Sequence, residues 1–240
     1  MNSKMEDRTC KTCRHNDDLL CDKKGIWIRD DHSCNKWEAQ PWKQWEKSIM
    51  SKFLKRGEKM TRAETTKFLG QLLVSTRIGG AGSHWASEVS IDPWTSKAKR
   101  VDYMEFCPAN QYSVSGIEKG IFTCYEIKSC KEDVYSGNGL NFFGEKNYIV
   151  TTMECYKEIQ PDFRSGKFAN YMREKHPDSS IYYGVMVPIP FWGEAAEEFK
   201  DPTPLSEDRN WKLEIVLPCR QGIRIKSMTE LLFCMLRSGH

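Results

Sequence analysis

The sequence lacks any hydrophobic run that approaches the roughly 20 residues needed to span a bilayer. Its first ten residues also lack the apolar core of a secretory signal. We therefore expect a cytoplasmic protein with no membrane partner. Hydrophobic residues make up 39% of the chain and charged residues 29%, a balance that excludes wholesale disorder and is typical of a folded globular domain.

A strong excess of one charge is also absent, because the formal net charge is only +3. The charge is nevertheless unevenly distributed: residues 41–67 hold eight basic and three acidic residues, whereas residues 1–40 are neutral. Two interpretations of this basic stretch stay open, a solvated helix face and a strip that binds nucleic-acid phosphates. The candidate phosphate-binding residues are Lys52, Lys55, Arg56 and Lys59.

Cysteine is abundant, with ten residues, but nothing in the sequence indicates secretion. We therefore expect thiols that are reduced or bound to metal, without disulfides. Six of them are spread through apolar stretches and are predicted to be core thiols. These six are Cys107, Cys124, Cys130, Cys155, Cys219 and Cys234.

The four remaining cysteines, within the first forty residues, predict a zinc site. Two cysteines separated by two residues present both sulfurs to one ion, and two more complete a tetrahedral four-sulfur site. Such a site has no open position, and a segment this short needs a metal to fold, so the zinc is expected to be structural. Four unrelated cysteines are the alternative, and His15 or His32 could replace one sulfur. The predicted ligands are Cys10, Cys13, Cys21 and Cys34.

These features divide the chain into three predicted regions. Residues 1–40 are the small zinc-bound module, residues 41–60 a basic, Trp-rich linker or helix, and residues 61–240 the main domain. A capping-box pattern at Thr61 and Glu64 predicts a helix that opens this domain. Further on, the alternation of apolar residues predicts six strands, at residues 85–91, 100–106, 121–128, 148–152, 181–188 and 211–217.

Helices are predicted after the fourth strand, at residues 153–160, and at the C-terminus, where Ser227 and Glu230 form a second capping box. An opening helix, three strands and then alternating strands and helices are typical of an α/β domain. We expect a mixed sheet flanked by helices.

The strongest chemical signal is Glu126-Ile127-Lys128 at the end of the third predicted strand. Side chains alternate along a strand, so Glu126 and Lys128 should share one face while Ile127 enters the core on the other. If the preceding strand pairs with this one, Asp102 and Glu126 can converge on one Mg²⁺, a cation that prefers carboxylates and water. Lys128 would then stand beside the attacking water.

This arrangement of Asp102 and Glu126-Ile127-Lys128 resembles the PD-(D/E)XK nucleases over roughly residues 61–190. The resemblance implies a restriction-endonuclease-like core, a catalytic Mg²⁺ or Mn²⁺, and nucleic acid, DNA in particular, as substrate. The family often adds an acidic residue, for which Glu88 and Glu64 compete here, with Glu88 preferred. Val101 departs from the proline that is common before the aspartate.

The chain as a whole also resembles proteins carried by bacteriophages and prophages, which makes a host protein an alternative partner. Three functions follow. The first is a metal-dependent nuclease that hydrolyses DNA phosphodiesters. The second is a catalytically inactive, phage-type factor that binds nucleic acid or a host protein with the same fold. The third is an interaction module organised by the zinc module and the Trp-rich linker.

Overall fold

The computed structural model describes residues 60–80 and 82–238, together with the backbone of three two-residue strands near the N-terminus. The chain divides into two units, residues 1–58 and 59–240. In the first unit, β1 (Asn16–Asp17), β2 (Leu20–Cys21) and β3 (Ile26–Trp27) pair antiparallel in that order. The main chain of Cys21 lies on β2, whereas the other three predicted zinc ligands, Cys10, Cys13 and Cys34, lie outside the described residues.

The second unit contains a six-stranded mixed sheet, as the sequence predicts. Its strands lie side by side in chain order; β6, β7 and β8 run parallel to one another, and the remaining pairs are antiparallel. The strands are β4 (His84–Ile91), β5 (Lys99–Cys107), β6 (Ile121–Lys128), β7 (Lys146–Thr151), β8 (Gly184–Pro190) and β9 (Trp211–Leu217).

Helices cover both faces of this sheet. In the first of them the predicted capping box is formed, since Glu64 N donates to Thr61 Oγ1 at 3.3 Å and Thr61 N donates to Glu64 Oε2 at 2.9 Å. A π-helical turn, Val74–Ile78, continues this helix. The helices are α1 (Arg62–Leu73), α2 (Val114–Glu118), α3 (Lys131–Val134), α4 (Met153–Arg164), α5 (Lys167–Lys175), α6 (Ala195–Lys200) and α7 (Met228–Ser238).

The sequence did not predict α2, α3, α5 or α6. The first is a five-residue helix within a turn-rich segment, and the other three begin without a side-chain cap, so they carry no start signal. Among the described residues, no helix combines the length and the apolar character that crossing a bilayer requires.

The sheet separates two hydrophobic cores. On one face, Leu69 and Leu73 of α1 pack with Tyr125 and Ile127 of β6. On the other face, α4, α5 and α7 cover the apolar side chains of the strands, among them Phe122. A strand covered on both faces is expected to be apolar throughout. Two charged residues near the end of β6 break that rule, and both are buried: Glu126 and Lys128.

Candidate functional site

The candidate site begins where β5 and β6 stop pairing. The two strands are neighbours, which is the condition for Asp102 and Glu126 to converge. They run antiparallel, and their register extends from Cys107 opposite Ile121 to Tyr103 opposite Tyr125. At the next position the ladder ends, and the Asp102 carboxylate takes the place of a main-chain acceptor. Its Oδ2 accepts a hydrogen bond from the main-chain N–H of Ile127 at 2.8 Å. The Asp102 side chain is thereby tied to the Glu126-Ile127-Lys128 segment.

A distortion in β4 also removes the pairing of Asp102 with that strand, on the opposite edge of β5. Ser87 pairs with Tyr103 and Val89 with Val101, but Glu88 between them has a left-handed φ of 55° and leaves the ladder. A non-glycine residue in this conformation is uncommon and costs conformational energy. Asp102 therefore lies outside the regular ladder on both of its edges, although it is in the middle of a strand.

Glu126 is the most deeply buried ionisable group of this region, with no exposed surface. Its Oε1 accepts a hydrogen bond from the Asn141 N–H at 3.2 Å, whereas Oε2 has no hydrogen-bond partner among the described residues. Buried carboxylate oxygens are almost always hydrogen-bonded or bound to an ion. An unpartnered oxygen here therefore requires an explanation, and a cation is one that fits its chemistry.

The loop from Gly137 to Asn141 closes over this carboxylate. A Cβ atom at Gly139 would lie 2.5 Å from Glu126 Oε2 and 2.6 Å from Lys128 Nζ, and the φ of Gly139 is +72°. Both the space and the backbone conformation therefore require glycine. The same contact places Glu126 and Lys128 on one side of β6, as strand alternation predicts, with Ile127 in the opposite core.

The surroundings of the two carboxyl groups raise the pKa of each of them. Burial, and then the negative charge of Asp102, raise the pKa of Glu126 well above its usual range; Lys128 opposes the shift. Burial likewise raises the pKa of Asp102, against the opposing effects of the Ile127 N–H and of Lys128. A divalent cation near the two carboxylates would offset the negative charge that burial disfavours.

Lys128 is held on the side of the site toward the loop. Its Nζ donates to the main-chain oxygen of Asn138 at 2.9 Å and lies 3.8 Å from Asp133 Oδ1. Asp133 in turn accepts a hydrogen bond from the Ser129 N–H at 3.0 Å. The ammonium group therefore has a fixed position, which a group that acts on a reacting phosphate needs.

A groove of about 990 Å³ opens in front of these residues. Its wall includes Asp102, Lys128, Asp133 and the loop from Gly137 to Asn141, and also three exposed basic residues, Lys67, Lys99 and Arg100. Glu126 itself is not exposed to the groove, because the loop covers it. A ligand in the groove would thus contact Asp102 and Lys128 directly.

The two candidates for an additional acidic residue have different surroundings. Glu88 lies on the groove wall, but its Oε2 forms an ion pair with Arg100 at 2.7 Å. The carboxylate of Glu64 caps the N-terminus of α1. The position of Glu88 agrees better with a role at the groove, and that role stays a prediction.

Residues with a left-handed backbone conformation are concentrated around this site. Within the described ranges, four non-glycine residues have a positive φ: Glu88, Asp92, Trp94 and Leu140. Glu88 and Trp94 line the groove, and Leu140 lies in the loop over Glu126. Such strain tends to collect at functional sites. Neither Trp94 nor Gly139 was predicted from the sequence, although both stand in turn-rich segments.

The other predicted sites are outside this region. Lys52, Lys55, Arg56 and Lys59 lie outside the described residues, so their role in binding phosphate stays a prediction. Among the residues that are described, no group of three or more His, Cys, Asp or Glu side chains could hold a metal ion. Asp102 and Glu126 are a pair, which suits Mg²⁺ because this ion is commonly bound through one or two carboxylates and keeps several waters.

Comparison of the chain with protein-family models, curated proteins and solved structures found no match.

Proposed function

We propose that the domain formed by residues 61–240 is a metal-dependent nuclease that hydrolyses phosphodiester bonds in DNA. One observation carries the proposal: beside a groove, where the sheet ladder breaks, buried Glu126 has an unpartnered oxygen, lies near Lys128 and interacts electrostatically with Asp102. Burying Glu126 and Lys128 next to half-buried Asp102 costs free energy that packing alone does not recover. In a site that hydrolyses a phosphodiester, both carboxylates and the ammonium group have a chemical role.

In this proposal Asp102 and Glu126 hold Mg²⁺ or Mn²⁺ through hard oxygen donors. When bound, such an ion polarises the phosphate and lowers the pKa of a water molecule. Lys128 orients the attacking water and offsets the negative charge that develops on the phosphate. Exposed Lys67 and Lys99 on the groove wall attract the nucleic-acid backbone.

Incubation of the wild-type protein with single-stranded, duplex and branched DNA, and with RNA, tests this proposal directly. We expect cleavage with Mg²⁺ or Mn²⁺ and none with EDTA, because the carboxylates need a cation to engage the phosphate. Gel analysis of end-labelled strands measures the products. If every substrate stays intact while nucleic acid is still bound, the catalytic proposal fails.

A second function, a binding factor without turnover, has one specific observation in its favour. The loop from Gly137 to Asn141 closes over Glu126, leaving it no exposed surface, and Lys128 is bonded to that loop. A groove that only binds nucleic acid or a host protein does not require contact between its ligand and Glu126. Tight binding without metal-dependent cleavage would identify this function.

We also propose that Cys10, Cys13, Cys21 and Cys34 hold one structural zinc ion per chain. Metal analysis of the purified protein should give a zinc stoichiometry near one, and Cys13→Ser should lower it, because a four-sulfur site loses a ligand. Cys107→Ser, at an exposed free thiol, is the control and should keep the zinc. A metal-free protein would contradict the prediction.

Neutralising Lys52, Lys55, Arg56 and Lys59 to glutamine tests the basic stretch. If these residues bind phosphates, the variant should bind DNA more weakly. The negative slope of log affinity against log salt should become shallower by about 3 to 4. Fluorescence anisotropy at several salt concentrations measures the slope. The control variant instead neutralises the four exposed basic residues of α4 and α5, which are Arg164, Lys167, Arg173 and Lys175. If the variant of the basic stretch has the same slope as wild type, the stretch is a solvated helix face.

A further inference from the structure

Trp94 is the most exposed large hydrophobic side chain among the described residues, with 99% of its surface accessible. It lies in the turn between β4 and β5 and forms part of the rim of the groove that contains Asp102 and Lys128. Burying a tryptophan ring is strongly favourable, so a ring that stands free at the mouth of a groove is available to a ligand.

The turn holds Trp94 in this position. The φ of Trp94 is 66° and that of Asp92 is 46°, so two residues of the turn are in the left-handed region. Hydrogen bonds close the turn: Thr95 Oγ1 donates to the Asp92 oxygen at 2.7 Å, and the Ala98 N–H donates to the Thr95 oxygen at 3.2 Å. These bonds fix the conformation that keeps the ring away from the core.

A long-range ion pair anchors the same turn to the body of the domain. Asp92 Oδ2 lies 2.8 Å from Lys226 Nζ, which is also 2.9 Å from Glu230 Oε1 on α7. The turn is thus bonded at its base to an element more than 130 residues away in the sequence. A platform anchored in this way loses little conformational freedom when a ligand contacts it.

The charges around Trp94 indicate which ligand it contacts. Lys67 and Lys99 line the same groove, and Lys97 belongs to the same turn; all three are exposed. Among the described residues no carboxylate lies within ion-pairing distance of these three lysines, whereas Arg100 is already paired with Glu88. An exposed aromatic ring among free lysines is the combination that binds single-stranded nucleic acid, through base stacking and phosphate contacts.

We infer that Trp94 stacks on an unpaired nucleobase and so directs single-stranded or locally unpaired nucleic acid into the groove. In a duplex both faces of a base are covered by its neighbours, and only edges are presented in the grooves. A ring fixed at the rim can therefore stack only on a base that has left the helix or has no partner. This inference rests on the proposed nuclease function and names the substrate form.

Trp192 provides a matched control. It lies in the turn after β8, 91% of its surface is exposed, and it is not part of the groove wall. Trp192→Ala thus removes an equally exposed ring from the same sheet without touching the groove. Trp94→Phe is the second comparison, because it keeps an aromatic face for stacking while Trp94→Ala removes it.

The experiment measures affinity for a fluorescein-labelled 12-nucleotide single strand and for the matching duplex, by anisotropy in buffer without Mg²⁺ or Mn²⁺. Trp94→Ala should weaken single-strand binding about 5- to 150-fold, the range expected when one base–aromatic stack is lost. Trp94→Phe should retain most of the affinity. Duplex binding of Trp94→Ala and all binding of Trp192→Ala should stay within about twofold of wild type. DNA and RNA versions of the strand show which sugar the ligand carries.

The inference is overturned if Trp94→Ala binds the single strand as wild type does, if it weakens duplex binding equally, or if the wild type binds neither single strand. Because the proposed reaction needs Mg²⁺ or Mn²⁺, this result is independent of catalysis. A protein that never cleaves but loses single-strand affinity with Trp94→Ala contradicts the proposed hydrolysis and supports the stacking role. A protein that cleaves nucleic acid but whose single-strand affinity is unchanged by Trp94→Ala supports the proposed hydrolysis and contradicts the stacking role.

Discussion

We expect Glu126→Gln to abolish metal-dependent cleavage, leaving less than about a thousandth of the wild-type rate. The amide keeps the size of the side chain and an oxygen that can accept the hydrogen bond from the Asn141 N–H. It lacks the negative charge that attracts a hard divalent cation. The variant should therefore fold normally, and single-turnover cleavage assays with Mg²⁺ and Mn²⁺ measure the loss.

In the absence of metal, Glu126→Gln should make the folded protein more stable. Because the folded-state pKa of Glu126 is raised, the stability contributed by its neutral form is fully present below the unfolded pKa, near 4.5, and is lost as pH rises through the folded pKa. Asp102, whose pKa is also raised, acts in the same direction. Glutamine stays neutral, so the metal-free variant should unfold at a higher temperature than wild type, increasingly so toward pH 8.

Addition of Mg²⁺ should reverse this order, because a cation that binds the folded wild type raises its melting temperature. The Glu126→Gln variant should not respond. Glu105→Gln is the matched control: Glu105 is also buried in the sheet, accepts a hydrogen bond from Tyr125 OH at 2.7 Å, and does not line the groove. This variant should cleave normally. A Glu126→Gln protein that cleaves at the wild-type rate would sink the proposed metal site.

The sequence predicted those parts of the site that depend on regular periodicity. Strand alternation placed Glu126 and Lys128 on one face, and the bounds predicted for β6 and β9 match the structure. Each of these features depends on a few consecutive residues, which is the range over which hydrophobic pattern determines structure.

Features that depend on irregular backbone could not be predicted in this way. A period of two assumes an unbroken ladder, whereas the left-handed Glu88 changes which side chains of β4 face the core, so Ala86 and Val89 are both buried. The contact of Gly139 with Glu126 and Lys128 joins residues that are distant in the chain. Glycine-rich segments signal a turn, but they do not say which side chains the turn will cover.

We expect Lys128→Met to reduce the cleavage rate by about two to four orders of magnitude, the span usual for a positioned group that transfers a proton or offsets charge. Methionine keeps the apolar stem in its buried place and removes only the ammonium group. That group donates to the Asn138 oxygen at 2.9 Å and lies 3.8 Å from Asp133. Single-turnover rates measured across pH test the expectation.

Lys131→Met is the control for this substitution. Lys131 Nζ also donates to a main-chain oxygen, that of Glu158 at 3.0 Å, and lies 3.4 Å from a carboxylate, Asp162, but it is not part of the groove wall. The two variants thus lose a similar set of contacts. If Lys128 has only a structural role, both substitutions should lower the melting temperature. Neither should then change the cleavage rate of the folded protein by more than a few fold.

A change in the pH profile separates an electrostatic role of Lys128 from a purely structural one. The positive charge of Lys128 lowers the pKa of both Asp102 and Glu126, against the larger effect of burial. Its removal should therefore raise both values further, and cleavage should need a higher pH before the carboxylates lose their protons and accept a cation. The acid limb of the rate profile should move upward in Lys128→Met and stay in place in Lys131→Met. A uniform loss of rate at every pH, with no movement of that limb, would mean that Lys128 supports the loop without acting on the carboxylates.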